Sequence, residues 1–97
     1  MSAVVVNHLH LTVPVDQLAT VVAREFELIF RAQPGFERFY LVKVEENEAI
    51  VIIVWADEAA ADKGASVVGP TLFARHVVPV LASPQERTVG TTVVTIE

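Results

Sequence analysis

The side chains best suited to chemistry in this 97-residue chain are Asn7 and the three histidines. Asn7 stands in an apolar segment, and in an extended strand its side chain would share a face with Val5 and Leu9. An amide on an apolar face either lies in a pocket, where it can hydrogen-bond a ligand, or bonds a nearby backbone group and stabilises a bend. Both interpretations stay open from the sequence.

His76 stands four residues after Leu72 and four before Val80, which is the spacing of one face of an amphipathic helix. A histidine at such a position is either a half-buried core residue, or an acid–base group or metal ligand beside a bound molecule. Its neighbour Arg75 would point about 100° away around the helix and is expected in solvent.

His8 and His10 would lie on the strand face opposite Asn7, two residues apart, a spacing compatible with metal binding. The chain has no cysteine, and no carboxylate near the two histidines in sequence completes a ligand set. Glutamates 45, 46 and 48 are expected to form a solvated turn. The sequence therefore predicts no metal site, and it contains no catalytic Ser-His-Asp spacing, phosphate-binding glycine loop or dinucleotide fingerprint.

Composition narrows the class of protein. Seven basic and 12 acidic residues give a net charge of −5, which argues against partners such as nucleic acid or an anionic membrane surface. The longest apolar run, residues 49–56, is too short to span a bilayer, and no signal peptide is visible, so a cytoplasmic domain is expected. The mean hydropathy of +0.49 is high for so small a chain, which indicates that a partner chain covers apolar surface.

Changes of hydrophobic period predict the first half of the fold. Residues 3–13 predict a strand stopped by Pro14, and residues 15–33 predict an amphipathic helix ended by Pro34–Gly35. Residues 36–45 and 49–55 predict a hairpin, with the second strand buried on both faces.

In the second half of the sequence, glycine and proline residues mark the predicted ends of helices. Asp57 is the predicted N-cap of a helix over 58–63 that is broken at Gly64, and a helix restarts at Thr71. Pro79 should end that helix within about a residue. Residues 87–96 predict a final strand.

The resulting order, β-α-β-β-α-β over a single domain of residues 1–97, predicts an α+β fold of ferredoxin-like type. Its four-stranded antiparallel sheet would carry both helices on one face. The other face would be bare and apolar, which favours face-to-face pairing of two sheets in a homodimer.

Three segments, QPGFERFYL, VIIVWADEAAAD and LFARHVVPVL, resemble the antibiotic biosynthesis monooxygenase domain group over nearly the whole chain. The resemblance implies a homodimeric α/β barrel with a ligand pocket between sheet and helices in each subunit. Members of the group include cofactor-independent monooxygenases acting on polycyclic aromatic substrates, and heme-degrading enzymes.

The resemblance also implies roles for particular residues. It favours Asn7 as the pocket asparagine, makes Trp55 a common feature of the group, and places His76 near the histidine that ligates heme iron in the heme-degrading branch. That branch also carries a tryptophan earlier on the same helix, where this chain has Lys63–Ser66. Heme is therefore the third-ranked hypothesis.

The leading hypothesis is a monooxygenase without a bound cofactor, acting on an aromatic phenol or quinol. His76 would remove a proton, Asn7 would stabilise the oxyanion and Trp55 would shape the pocket, all three meeting in one cavity. Further substrate-binding candidates are Tyr40, Leu72 and Phe73. The alternative is a dimeric barrel that binds a small apolar ligand without catalysis.

Overall fold

The computed structural model describes residues 1–97 and contains four strands and a helical layer. The strands pair antiparallel in the spatial order second, third, first, fourth, which is the ferredoxin-like arrangement, so the predicted fold class is confirmed. The elements are β1 (Ala3–His10), α1 (Val15–Glu25), α2 (Glu27–Arg31), β2 (Phe36–Glu45), β3 (Glu48–Trp55), α3 (Glu58–Val68), α4 (Gly69–Val77), a 3₁₀ turn (Val78–Val80) and β4 (Glu86–Thr91).

The helices cover one face of the sheet. Every second residue of β1 and of β3 is buried there, ending at Trp55, while the alternate residues stay half-buried on the open face. The prediction that β3 is buried on both faces is therefore wrong for the single chain: Ile50, Ile52 and Val54 lie on the open face, since all the helices pack on the other side.

The ends of the outer strands follow from their pairing. β1 is shorter than predicted. His10 pairs with Glu48, the first residue of β3, so the residues after His10 have no residue of β3 left to pair with. β4 stops at Thr91 rather than residue 96 because Thr91 pairs with Ala3, where β1 begins.

The first predicted helix is divided at Phe26, where α1 ends and α2 begins. Phe26 keeps a right-handed helical conformation and its N–H still donates to Val22, so the interruption is local. Gly35, with φ of 80°, makes the left-handed turn into β2, as a glycine can without strain.

The predicted break at Gly64 is wrong. α3 runs through this position, and Gly64 is instead a point of close packing, where a Cβ atom would overlap the Trp55 ring. The predicted cap is confirmed: the Asp57 carboxylate accepts a hydrogen bond from the Ala60 N–H at 2.7 Å.

No helix restarts at Thr71, because α4 continues directly from α3 at Gly69 and is wound as a π-helix. The predicted effect of Pro79 is confirmed, since regular helix gives way to a 3₁₀ turn around it and Leu81 is extended. None of the helices is long and apolar enough to cross a bilayer.

Candidate functional site

A cavity of about 210 Å³ lies between the sheet and the α3–α4 helices. β1 and β3 form its floor, α3 and the start of α4 its roof, and β4 with the preceding loop closes one side. Most of its wall is apolar, and the polar residues in it are Asn7, Gln85 and Arg87.

Asn7 is the buried polar residue of the fold, with 3% of its surface exposed. Its side-chain oxygen accepts a hydrogen bond from Gln85 Nε2 at 3.3 Å, and its amide nitrogen has no hydrogen-bond partner. The Asn7 side chain bonds no backbone group, which favours the pocket interpretation over stabilisation of a bend. An amide donor that faces an apolar cavity can bind an oxygen atom of a ligand.

Trp55 and Phe73 supply the aromatic wall. Trp55 ends β3 almost fully buried, and the absence of a side chain at Gly64 lets α3 pack directly on its indole ring. An aromatic molecule in the cavity would therefore be held by ring contacts, with its orientation set by the few polar groups.

Gln85 and Arg87 are cavity residues that the sequence analysis did not identify. Arg87 pairs with Asn7 in the β1–β4 register, and Gln85 Oε1 is buried without a hydrogen-bond partner. Gln85 and Arg87 are two residues apart, so in an extended segment their side chains lie on the same face. Only the strand register shows that this face is the one that carries Asn7.

His76 is not in the cavity wall, so the predicted convergence of Asn7, Trp55 and His76 holds for the first two residues only. The His76 ring is half-buried and lies 6.2 Å from the Phe26 ring, on the side of α4 that faces α1. The prediction assumed α-helical spacing, whereas a π-helical turn contains more residues and shifts the faces of α4.

Two other candidates lie elsewhere. Leu72 is buried in the core without lining the cavity. Tyr40 lies on the open face of the sheet, where its hydroxyl accepts a hydrogen bond from Arg38 Nη1 at 3.3 Å. Of the predicted substrate-binding residues, only Phe73 reaches the cavity.

The shifted pKa values belong to exposed groups outside the cavity. The hydrogen bond to Tyr40 raises the pKa of Arg38, and the hydrogen bond to Asp16 raises the pKa of Lys43. In the cavity itself Arg87 is the charged group, and no carboxylate, imidazole or thiol lines the wall. The cavity can therefore stabilise an anion, but it offers no side chain that would take up a proton.

A larger cleft of about 350 Å³ lies between α1, α2 and β2. Its walls carry four phenylalanines, and its charged residues, Glu27 and Arg31, are exposed and paired with each other at 3.1 Å. Because no buried polar group faces this cleft, the smaller cavity is the better candidate for a site that orients a ligand.

No family model and no curated protein matches this chain. Among solved structures, SnoaB, a cofactor-independent oxygenase from Streptomyces nogalater, is 25% identical, with a TM-score of 0.80 over 98% of this chain and 96% of SnoaB. The fold is that of the antibiotic biosynthesis monooxygenase-like family. The predicted resemblance is thereby confirmed.

Two further structures with this fold differ in what they bind. The ActVA-Orf6 monooxygenase of Streptomyces coelicolor, in complex with nanaomycin D, is 19% identical, with a TM-score of 0.80 over 99% of this chain and 91% of its own. A variant of MhuD with two manganese protoporphyrin IX molecules per active site is 16% identical, with a TM-score of 0.74 over 98% of each chain. The fold is thus found both with nanaomycin D and with a porphyrin.

Proposed function

We propose that this chain is a monooxygenase that oxidises a small phenol or quinol in the Asn7 cavity without a bound cofactor. The observation that carries the proposal is an apolar, aromatic-walled cavity in which a buried amide lies next to an arginine, within the fold of a cofactor-independent oxygenase. A hydrophobic pocket with a few convergent polar groups is typical of a small-molecule site.

The size of the cavity limits the substrate. An engineered apolar cavity of about 150 Å³ holds one benzene ring. The Asn7 cavity, at about 210 Å³, therefore suits a molecule of one or two fused rings. A porphyrin has four pyrrole rings and would not fit this cavity, and His76, the proposed iron ligand, does not reach it, so the residues present do not fit heme.

The polar groups suit an anionic intermediate. A positively charged guanidinium favours the anionic form of a group beside it, so a phenol or quinol next to Arg87 loses its proton more readily. The Asn7 amide would donate to the oxyanion, in the role that the sequence analysis assigned to it. Because His76 lies outside the cavity, the proton passes to water rather than to that imidazole.

Oxygen is the oxidant. The carbanionic carbon of the deprotonated substrate gives its electrons to O₂ and forms a C–O bond, and protonation gives a hydroperoxide. The O–O bond then breaks: one oxygen atom stays on the carbon as a carbonyl and the other leaves as water. The two hydrogens of that water come from one ring C–H and one O–H of the substrate, and the ring becomes a quinone. Within this sequence the protein binds and orients the anion.

The open face of the sheet supports a homodimer. Tyr40, Val42 and Val44 of β2 are each more than 40% exposed, next to the half-buried apolar residues of β3. An apolar face of this kind is stabilised when a second copy covers it. We therefore propose that two sheets pack face to face.

A ligand-binding protein without catalysis is the alternative, favoured by the lack of a proton acceptor in the cavity. Trp55 is the sole tryptophan of the chain and lines the cavity, so its fluorescence reports occupancy separately from turnover. Quenching by naphthalene-1,4-diol under argon, with no O₂ uptake above the protein-free rate in air, would support the binding protein and contradict the monooxygenase.

The monooxygenase is tested with an oxygen electrode, using naphthalene-1,4-diol as substrate and subtracting the protein-free rate. We expect O₂ uptake by the wild type, a large loss in Arg87→Met, and no loss in Arg75→Met, which removes an exposed arginine outside the cavity. Equal rates in the two arginine variants would contradict the proposal.

A further inference from the structure

A second group of chemically active side chains lies on the open face of the sheet, away from the Asn7 cavity. It consists of His8 and His10 on β1 and Glu48 at the start of β3. His10 pairs with Glu48 as the last position of the β1–β3 ladder, and the two imidazole rings lie 4.7 Å apart, centre to centre. Alternation directs both imidazoles to the face opposite Asn7.

The distances within the group match those of a metal site. Glu48 Oε1 lies 3.5 Å from His8 Nε2 and 3.4 Å from His10 Nδ1, and the three ligand atoms lie within 4.8 Å of one another. Zinc bonds of about 2.0–2.2 Å in a tetrahedron place neighbouring ligand atoms about 3.3–3.6 Å apart. The two distances to the carboxylate already satisfy this geometry, and a small rotation of the partly exposed rings would satisfy the third.

An unpartnered nitrogen provides an independent argument. His8 Nε2 is shielded from solvent and makes no hydrogen bond, although Glu48 Oε1 lies 3.5 Å away. Buried polar atoms are nearly always paired, so an unpaired one indicates an absent partner. A cation between Glu48 and the two rings would bond this nitrogen.

Charge also favours a cation. Glu86 pairs with His8 in the β1–β4 register, which brings a second carboxylate to the same face, and the whole chain carries a net charge of −5. Two imidazoles and one carboxylate form a ligand set of intermediate softness, which suits zinc and similar divalent transition metals.

We propose that His8, His10 and Glu48 bind one divalent transition-metal ion per chain, with Zn²⁺ as the best match. The set provides three protein ligands and leaves the fourth tetrahedral position to water. The site is separated from the Asn7 cavity by the β1 backbone, so it does not depend on the proposed oxidation. Since the ion bridges β1 and β3, it would also stabilise the folded chain.

The test is isothermal titration calorimetry of chelator-treated protein with ZnCl₂, together with the visible absorption spectrum after addition of Co²⁺. We expect one ion per chain, and Co²⁺ bands typical of a site with mixed nitrogen and oxygen ligands. Removing a residue that only hydrogen-bonds a metal ligand typically lowers metal affinity by roughly 10–100-fold. Removing one of the three ligands should lower the affinity for Zn²⁺ by at least as much. His8→Ala, His10→Ala and Glu48→Gln should each show this loss.

His76→Ala is the matched control, because it removes the third histidine of the chain and leaves the cluster intact. Its affinity for Zn²⁺ should equal that of the wild type. Far-UV circular dichroism without metal checks that the variants fold. If an alanine variant does not fold, Glu48→Gln, which keeps the shape of the side chain, still tests the proposal. Wild-type affinity in folded Glu48→Gln, equal losses in His76→Ala, or no heat of binding in the wild type would each overturn the proposal.

Discussion

Asn7 is almost fully buried, and its side-chain amide makes one hydrogen bond within the fold, at the oxygen, which accepts from Gln85. Gln85 Nε2 donates to the amide oxygen, which leaves the amide N–H groups of Asn7 free to donate to a ligand in the cavity that it lines. Preorganised donors of this kind are effective because they need no reorientation when negative charge develops on a substrate.

Replacing Asn7 tests this role directly. Asn7→Ala should lower kcat for a responsive quinol by about 100-fold, equivalent to roughly 3 kcal/mol of lost stabilisation of the oxyanion. The rate is measured by O₂ uptake, and quenching of Trp55 fluorescence under argon shows whether the substrate still binds. Full activity in a variant with intact binding would leave Asn7 a merely structural residue.

Gly64 tests the close packing behind the cavity. Gly64→Ala should lower the free energy of unfolding by about 1–3 kcal/mol, because the added methyl group collides with the Trp55 ring. Gly69→Ala is the control: nothing lies within 4 Å of its Cβ position, so it should be neutral or slightly stabilising. Urea denaturation measures both variants, and equal stabilities would contradict the packing argument.

At the scale of the elements, strand pairing decides where β1 and β4 end, whereas a side-chain cap decides where α3 begins. Asp57 accepts from the Ala60 N–H at the turn that leads from Trp55 into α3. The roof of the cavity therefore starts at a defined point relative to its aromatic wall.

Loss of the cap should weaken this element. Asp57→Ala is expected to lower the free energy of unfolding by about 0.5–2 kcal/mol, because an N–H of the first helical turn loses its acceptor. Asp62→Ala removes an exposed carboxylate from the interior of the same helix and should have a smaller effect. Thermal melting followed by circular dichroism compares the two, and a larger loss in Asp62→Ala would contradict the capping role.

At the scale of the molecule, the sheet has one covered face and one open face. The open face carries apolar residues of β2 and β3 across its middle and the His8–His10–Glu48 cluster at one end of β1 and β3. A second copy seated on the apolar part would account for the high mean hydropathy of the chain.

Introducing a charged side chain on the open face tests the proposed dimer. The wild type should sediment as a dimer at micromolar concentration, and Val42→Glu should sediment as a monomer, because a dimer would bury the new carboxylate without a partner. Leu28→Glu places the same charge at an 82% exposed position in the helical layer and should remain dimeric. A wild-type monomer by sedimentation equilibrium would contradict the proposal.

Alternation of apolar residues was sufficient to predict that Asn7 faces the helices and that His8 and His10 face the other way, because the period of a strand depends on that strand alone. The fold class and the Asp57 cap followed from similarly local patterns. Other features needed the tertiary structure. The pairing of Asn7 with Arg87, and of His10 with Glu48, depends on the register between strands that are distant in sequence. Two further features depend on how the helices pack on the sheet, which no local pattern specifies. They are the π-helical winding that turns His76 away from the cavity and the packing of Gly64 on Trp55.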